Sequence, residues 1–148
     1  MRYLLDSDSL SDLYTPSSSG HQSISHRITT LSDEDLVFIS ILAIYELEYG
    51  WANAPEDKKP LIHERIASLQ THFSILPLTP EAARVFGSLK AQLRTARQLS
   101  QEKIKMHNLD LMLAATAVTE GCTLVSGDGL YADLRGLDPA LQVENWLI

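Results

Sequence analysis

A chain of 148 residues, 45% hydrophobic and 21% charged, fits one globular domain over residues 1–148 with a sizeable core. Its longest apolar-rich stretch, Leu109 to Val118, falls well short of the roughly 20 residues a helical membrane span needs. The single cysteine, Cys122, excludes an internal disulfide, and with five scattered histidines it forms no zinc pattern.

Met1 and Arg2 precede only three apolar residues before Asp6, which makes no secretory signal, so the chain reads as cytoplasmic. The run Arg2 to Leu5, ending in Asp6-Ser7-Asp8-Ser9, suits a strand leading into a helix cap. Thr15 to Ser19, rich in Pro and Ser and followed by Gly20, reads as a flexible loop. Asp35 to Ser40 predicts a second strand, with Ser40 capping a helix from Ile41 to about Ala54 that Pro55 stops. Leu61, Ile62, Ile66, Leu69 and Phe73 recur at helical spacing over Pro60 to Phe73. Ser74 to Leu78 predicts a third strand, and Pro80 starts a helix reaching about Ala96. Asn108 to Glu120, apolar nearly all round and ended by Gly121, reads as a buried helix. Thr123 to Ser126 predicts a fourth strand, and Gln142 to Trp146 a last extended segment. Strands alternating with helices imply a mostly parallel sheet of four to five strands with helices on both faces, an α/β fold.

The formal net charge of −7 argues against a nucleic-acid partner, because phosphate binding rests mainly on Lys and Arg. Distribution qualifies that. Six of the twelve basic residues (Arg84, Lys90, Arg94, Arg97, Lys103 and Lys105) fall between positions 84 and 105, with Glu102 the only acid among them. Such an interval is either a solvated helix face or an RNA backbone contact.

In an open α/β sheet, ligands bind beyond the carboxyl ends of the strands. Asp6 follows the first strand there and Asp128 follows the fourth, while Glu46 and Asp110 lie on helices leading away from or toward that edge. Each has a plain structural reading as well: Asp6 as a helix cap, Asp110 as complement to a helix dipole, Asp128 between two glycines as a turn residue. Periodicity does not choose between Glu46 and Glu48. If several of these acids converge, two carboxylates about 4 Å apart repel by roughly 4 kcal/mol at an effective dielectric of 20. Several such pairs rival the stability of a whole domain, so protonation or divalent cations must relieve them. All-oxygen ligation favours Mg²⁺ or Mn²⁺.

Four stretches, in order, resemble the PIN-domain ribonucleases, in particular the VapC-like toxins of type II toxin–antitoxin pairs. Tyr3-Leu4-Leu5-Asp6-Ser7-Asp8 is similar to the family's opening strand and first aspartate, with Ser7 and Asp8 for the usual Thr and Asn. Glu46-Leu47-Glu48-Tyr49-Gly50 matches its Glu-Leu-x-x-Gly helix, which selects Glu46 over Glu48. Asp110 to Ala117 resembles its Asp-x-x-Ile-Ala-Ala-x-Ala segment. Thr123 to Asp128 resembles its closing Leu-Val-Thr-x-Asp element, with Ser126 for threonine and Tyr131 for a common phenylalanine. The resemblance spans essentially the whole chain. It implies an endoribonuclease in which Asp6 and Asp110 are the main ligands of one or two Mg²⁺ or Mn²⁺ ions. Glu46 and Asp128 would complete the cluster, with Ser7 and Ser126 orienting ligands or water. It further implies an RNA substrate guided by the basic interval, a homodimer and a cognate antitoxin. Two readings compete. Asp6-Ser7-Asp8 together with Gly127-Asp128 and Asp133 resembles the haloacid-dehalogenase phosphatases, in which Asp6 would be the nucleophile and Asp8 the general acid. The other is a PIN-fold binding module without chemistry.

Overall fold

Alternation along the first strand decides how the sheet is covered. In β1 (Arg2–Leu5), Tyr3 and Leu5 enter one core while Leu4 enters the other, because successive strand residues point to opposite faces. The structure is a computed structural model describing residues 1–148. Its other strands are β2 (Leu36–Ser40), β3 (Ser74–Leu76), β4 (Thr123–Val125) and β5 (Gln142–Glu144). All pair in parallel in the order β3-β2-β1-β4-β5. From β1 the chain winds outward through β2 to β3, then returns to place β4 and β5 on the other side. The winding direction therefore reverses between β1 and β4.

Four helices cover the Tyr3–Leu5 face: α1 (Ser7–Tyr14), α2 (His21–Thr29), α3 (Ile41–Ala52) and α4 (Lys59–His72). Leu10, Ile24, Ala43, Ile44 and Leu69 from these helices pack with Ile39, Val125 and Trp146. The Leu4 face is covered by α5 (Pro80–Arg97), α6 (Gln101–Ile104), α7 (Asn108–Glu120) and α8 (Leu130–Leu137), whose Leu89, Leu93, Ile104, Leu111, Ala114, Ala117 and Leu134 pack with Phe38 and Leu124. A sheet buried on both faces explains why its strands read as continuous apolar runs. Thr79 caps α5 through Ala82 N–H at 3.1 Å, with Pro80 in the first turn, where its missing N–H costs nothing. After α7, Gly121 takes a φ of 65°, a left-handed conformation open to glycine without strain.

The α/β architecture, the strands and the four longest helices match the sequence expectations, with α7 falling on Asn108–Glu120 as predicted. The helix from Ile41 ends at Ala52, two residues early, and β3 stops at Leu76. The stretch from Thr15 to Gly20 is a set of turns, Ser18 N–H bonding Thr15 C=O at 2.8 Å. Three α-helices have no counterpart in the sequence reading: α2, α6 and α8. Each is short, and α2 and α6 each bury a single residue, Ile24 and Ile104, so neither carries a periodic pattern of its own.

Candidate active site

The reversal point between β1 and β4 is where an open parallel sheet leaves a crevice at its carboxyl edge. Asp6 stands there. Its N–H continues the ladder to Val125 C=O at 3.1 Å, after which the chain turns into α1. The carboxylate caps that helix, Oδ1 accepting from Ser9 N–H at 2.8 Å, so the helix-cap reading is correct. Capping does not exhaust it. Asp6 is buried, 4% exposed, and the Ser126 hydroxyl at the end of β4 lies near enough to favour its charged form. Ser126 Oγ accepts from Asp128 N–H at 3.0 Å, which holds the backbone of the turn that carries Asp128. Burial pushes the Asp6 carboxyl above its ordinary range. Ser126 and Ser9 oppose that shift and the neighbouring Asp8 carboxylate adds to it.

Asp110 lies in the first turn of α7, where its charge complements the helix N-terminus. Its Oδ1 accepts a hydrogen bond from Tyr131 Oη at 3.2 Å. Burial raises its pKa first; the Tyr131 bond and His107 lower it, while Asp128 and Asp8 raise it. Tyr131, at the start of α8, is 1% exposed. Burial pushes its hydroxyl far above the ordinary tyrosine range, and Asp110, Asp6 and Asp128 add to the effect. The phenol is therefore a fixed neutral donor in a negative field. Three acids, one of them more than a hundred residues away along the chain from the other two, act on this one side chain.

Glu46 reaches the region from the second turn of α3, exposed, its Oε1 accepting from Ser7 Oγ at 3.0 Å. Glu48, also exposed, makes no hydrogen bond or ion pair. Asp128 is exposed and its Oδ1 accepts from Leu130 N–H at 2.9 Å, the turn role expected of an acid between glycines. Of the predicted residues, the structure brings Asp6, Ser126 and Asp128 to the adjacent ends of β1 and β4. Asp110 accepts from Tyr131, whose hydroxyl also feels Asp6 and Asp128, and Ser7 and Glu46 form a separate pair.

No lysine, arginine or histidine forms an ion pair with Asp6, Glu46, Asp110 or Asp128. No three acid, histidine or cysteine side chains are drawn close enough to cage an ion among themselves. That geometry differs from the tight four-carboxylate cluster the sequence suggested. It still suits a hard cation that binds through one or two carboxylates and keeps several waters, as Mg²⁺ does. A buried carboxylate without a counter-charge and a second one raised by burial are the donors such an ion would neutralise.

The basic interval is not one continuous arm. Gln98, at φ 53°, ends α5 and breaks the run before α6. Arg97 pairs with Asp133, and Lys105 pairs with Glu102 at 3.1 Å. Lys90 Nζ lies 5.5 Å from the Phe86 ring centre, and the Arg94 Nε is buried without a partner. Arg84 and Lys103 are exposed and free of ion pairs.

The sequence reading offered Ser9 only as one of several candidate helix caps and assigned no role to the Tyr131 hydroxyl. Ser9 carries no signal beyond that cap pattern. Tyr131 did carry one, a hydroxyl at a position where the resemblance has phenylalanine.

A five-stranded parallel sheet with acids gathered at its reversal point defines a class, the α/β domains that present carboxylates to a ligand at the strand ends. The family model described as PIN domain matches residues 3–137, and the chain belongs to that family, whose members are typically nucleases. No match appears among curated protein sequences. Several solved structures share the fold. VapBC2 from Rickettsia felis, bound to a DNA fragment from its promoter, aligns with TM-score 0.78 at 20% identity over 99% of both chains. FitAcB from Neisseria gonorrhoeae aligns with TM-score 0.76 at 24% identity over 97% of both. VapBC-5 from Mycobacterium tuberculosis, of the VapBC family of toxin–antitoxin systems, gives 0.59 at 22%, over 97% of this chain and 96% of that one.

Proposed function

We propose that the protein is a Mg²⁺- or Mn²⁺-dependent endoribonuclease, the toxin of a type II toxin–antitoxin pair, acting through Asp6, Asp110, Glu46 and Asp128. The observation that carries this reading is the state of Asp6. It is a buried carboxylate at the sheet's reversal point, has no basic partner, and shares its electrostatic neighbourhood with Asp110 and Asp128. A divalent ion bound there would neutralise the acids, bind the scissile phosphate and lower the pKa of a coordinated water. The chain's own part is to hold the donors ready. Ser9 N–H fixes the Asp6 carboxylate, and Tyr131 Oη fixes Asp110, so neither must reorient when substrate arrives. Ser7 holds Glu46 at the margin, and Asp128 stays tied to the turn before α8. Arg84 and Lys103, unpaired and exposed, are available to RNA phosphates.

The fold's likeness to VapBC assemblies supports a cognate antitoxin partner; a homodimer of this chain is part of the same proposal. The PIN match over residues 3–137 favours this reading over a phosphatase, in which Asp8 would be essential. The exposed Asp8 makes no hydrogen bond or ion pair.

Cleavage of single-stranded RNA with Mg²⁺ or Mn²⁺, compared with the same reaction in chelator, tests the proposal. Wild type cuts only with metal, and Asp110→Asn loses the activity. Equal cutting by both proteins overturns the role of Asp110. A Mn²⁺-induced rise in melting temperature without any cleavage points to a binding module.

A further inference from the structure

Beside the acids the surface opens into a cleft of about 260 Å³. Ser7 and Glu46 line it, so it is continuous with the candidate active site. Leu10, Leu47 and Leu69 supply apolar wall. The remaining feature is a cation. Arg65, on α4, is half-buried and forms no ion pair with any carboxylate. Its Nη2 donates to Tyr14 C=O at 3.2 Å, and its guanidinium carbon lies 6.0 Å from the Tyr14 ring centre. One donor thus anchors the group, and a guanidinium carries five. The rest have no protein acceptor.

A partly desolvated guanidinium without an anion calls for one from outside, and the apolar wall calls for a flat, weakly polar surface. A nucleotide presents both. Its phosphate answers the guanidinium and its base answers the wall. The cleft shares Glu46 with the acids, so a nucleotide held there belongs to the same strand as the phosphate under attack. Resting on the nuclease reading, we propose that this cleft is a nucleotide subsite flanking the scissile phosphate, with Arg65 taking the neighbouring phosphate and thereby helping to select the cut position.

The test is steady-state cleavage of a short unstructured RNA with Mg²⁺, its cuts mapped at nucleotide resolution, for wild type, Arg65→Ala, Arg65→Lys and Ser11→Trp. Ser11 lines the cleft from its exposed side, so tryptophan there fills the space without disturbing the core. Losing a charge-assisted hydrogen bond raises KM about tenfold in Arg65→Ala. kcat changes little, the cut positions redistribute, and Arg65→Lys recovers part of the loss. Ser11→Trp raises KM in the same way, and keeps the test valid if Arg65→Ala does not fold by thermal melting. Wild-type KM and cut pattern in both Arg65→Ala and Ser11→Trp overturn the subsite while leaving the nuclease reading intact. Unchanged RNA kinetics with lost affinity for a purified antitoxin reassign the cleft to a peptide. A wild-type protein that cuts no RNA with either metal removes the nuclease reading, and the subsite with it.

Discussion

Two charged regions of this molecule are built on opposite plans. At the reversal point of the sheet, Asp6 and Asp110 are buried or half-buried and have no cationic partner. On the α5–α6 side, most charges lie at the surface, Lys90 and Arg94 being the half-buried exceptions, and Arg97 and Lys105 are matched by Asp133 and Glu102. Surface pairs of that kind contribute little and are screened by salt. Uncompensated acids in a low-dielectric crevice strain the folded chain until a ligand neutralises them. Unmatched charge is therefore the better guide to a binding site in this chain than dense charge.

The largest effect should come from the buried acid. Asp6→Asn keeps a side-chain oxygen for the cap to Ser9 but removes the charge, and is expected to cut RNA about a hundredfold more slowly or worse. Glu46→Gln, at the exposed margin, should lose less. The reverse ranking, measured as kcat/KM with Mg²⁺, would break the distinction between the buried acids and the exposed one.

Tyr131→Phe comes next. It removes only the hydroxyl on Asp110, and metal affinity measured by titration calorimetry should weaken about tenfold, with the fold unchanged. Unaltered affinity would mean that packing alone holds Asp110 in place.

A smaller effect concerns pH. The folded-state pKa values of Asp6 and Asp110 lie above the ordinary 3.8, so the folded chain holds more protons than the unfolded one as pH climbs above that value. Metal-free stability then falls as pH rises through the interval between 3.8 and the raised values. Metal favours the charged forms, so millimolar Mn²⁺ should raise the melting temperature more at pH 7 than at about pH 4.5. In the absence of metal at pH 7, Asp6→Asn should melt above wild type, since the uncharged amide avoids the burial penalty. Equal Mn²⁺ shifts at both pH values would show that these carboxylates are not what the ion neutralises.

The smallest effect belongs to the paired basic residues. Arg97→Ala and Lys105→Ala should change RNA cleavage by less than about twofold, since each charge is already engaged locally. A tenfold loss in either would place the substrate along α5 and α6 after all.

Sequence reading reached the sheet and long helices because their signals are local. Apolar runs, Ser40 and Thr79 caps, and the Gly121 stop each act within a few residues. It missed α2 and α6 because each buries one apolar side chain, and a single contact leaves no period to read. Among the acids, motif spacing named Asp6, Glu46, Asp110 and Asp128, but nothing in the spacing located them relative to one another.

From the chain alone came the α/β alternation, the four acids and the preference for Glu46 over Glu48, because propensity, capping and motif are written in neighbouring residues. Tertiary structure alone decided the strand order that sets Asp6 beside β4, the Tyr131 hydroxyl that holds Asp110, and the pairing that occupies Arg97 and Lys105. Burial and counter-charge depend on what arrives from distant parts of the chain, and only the packed fold brings those parts together.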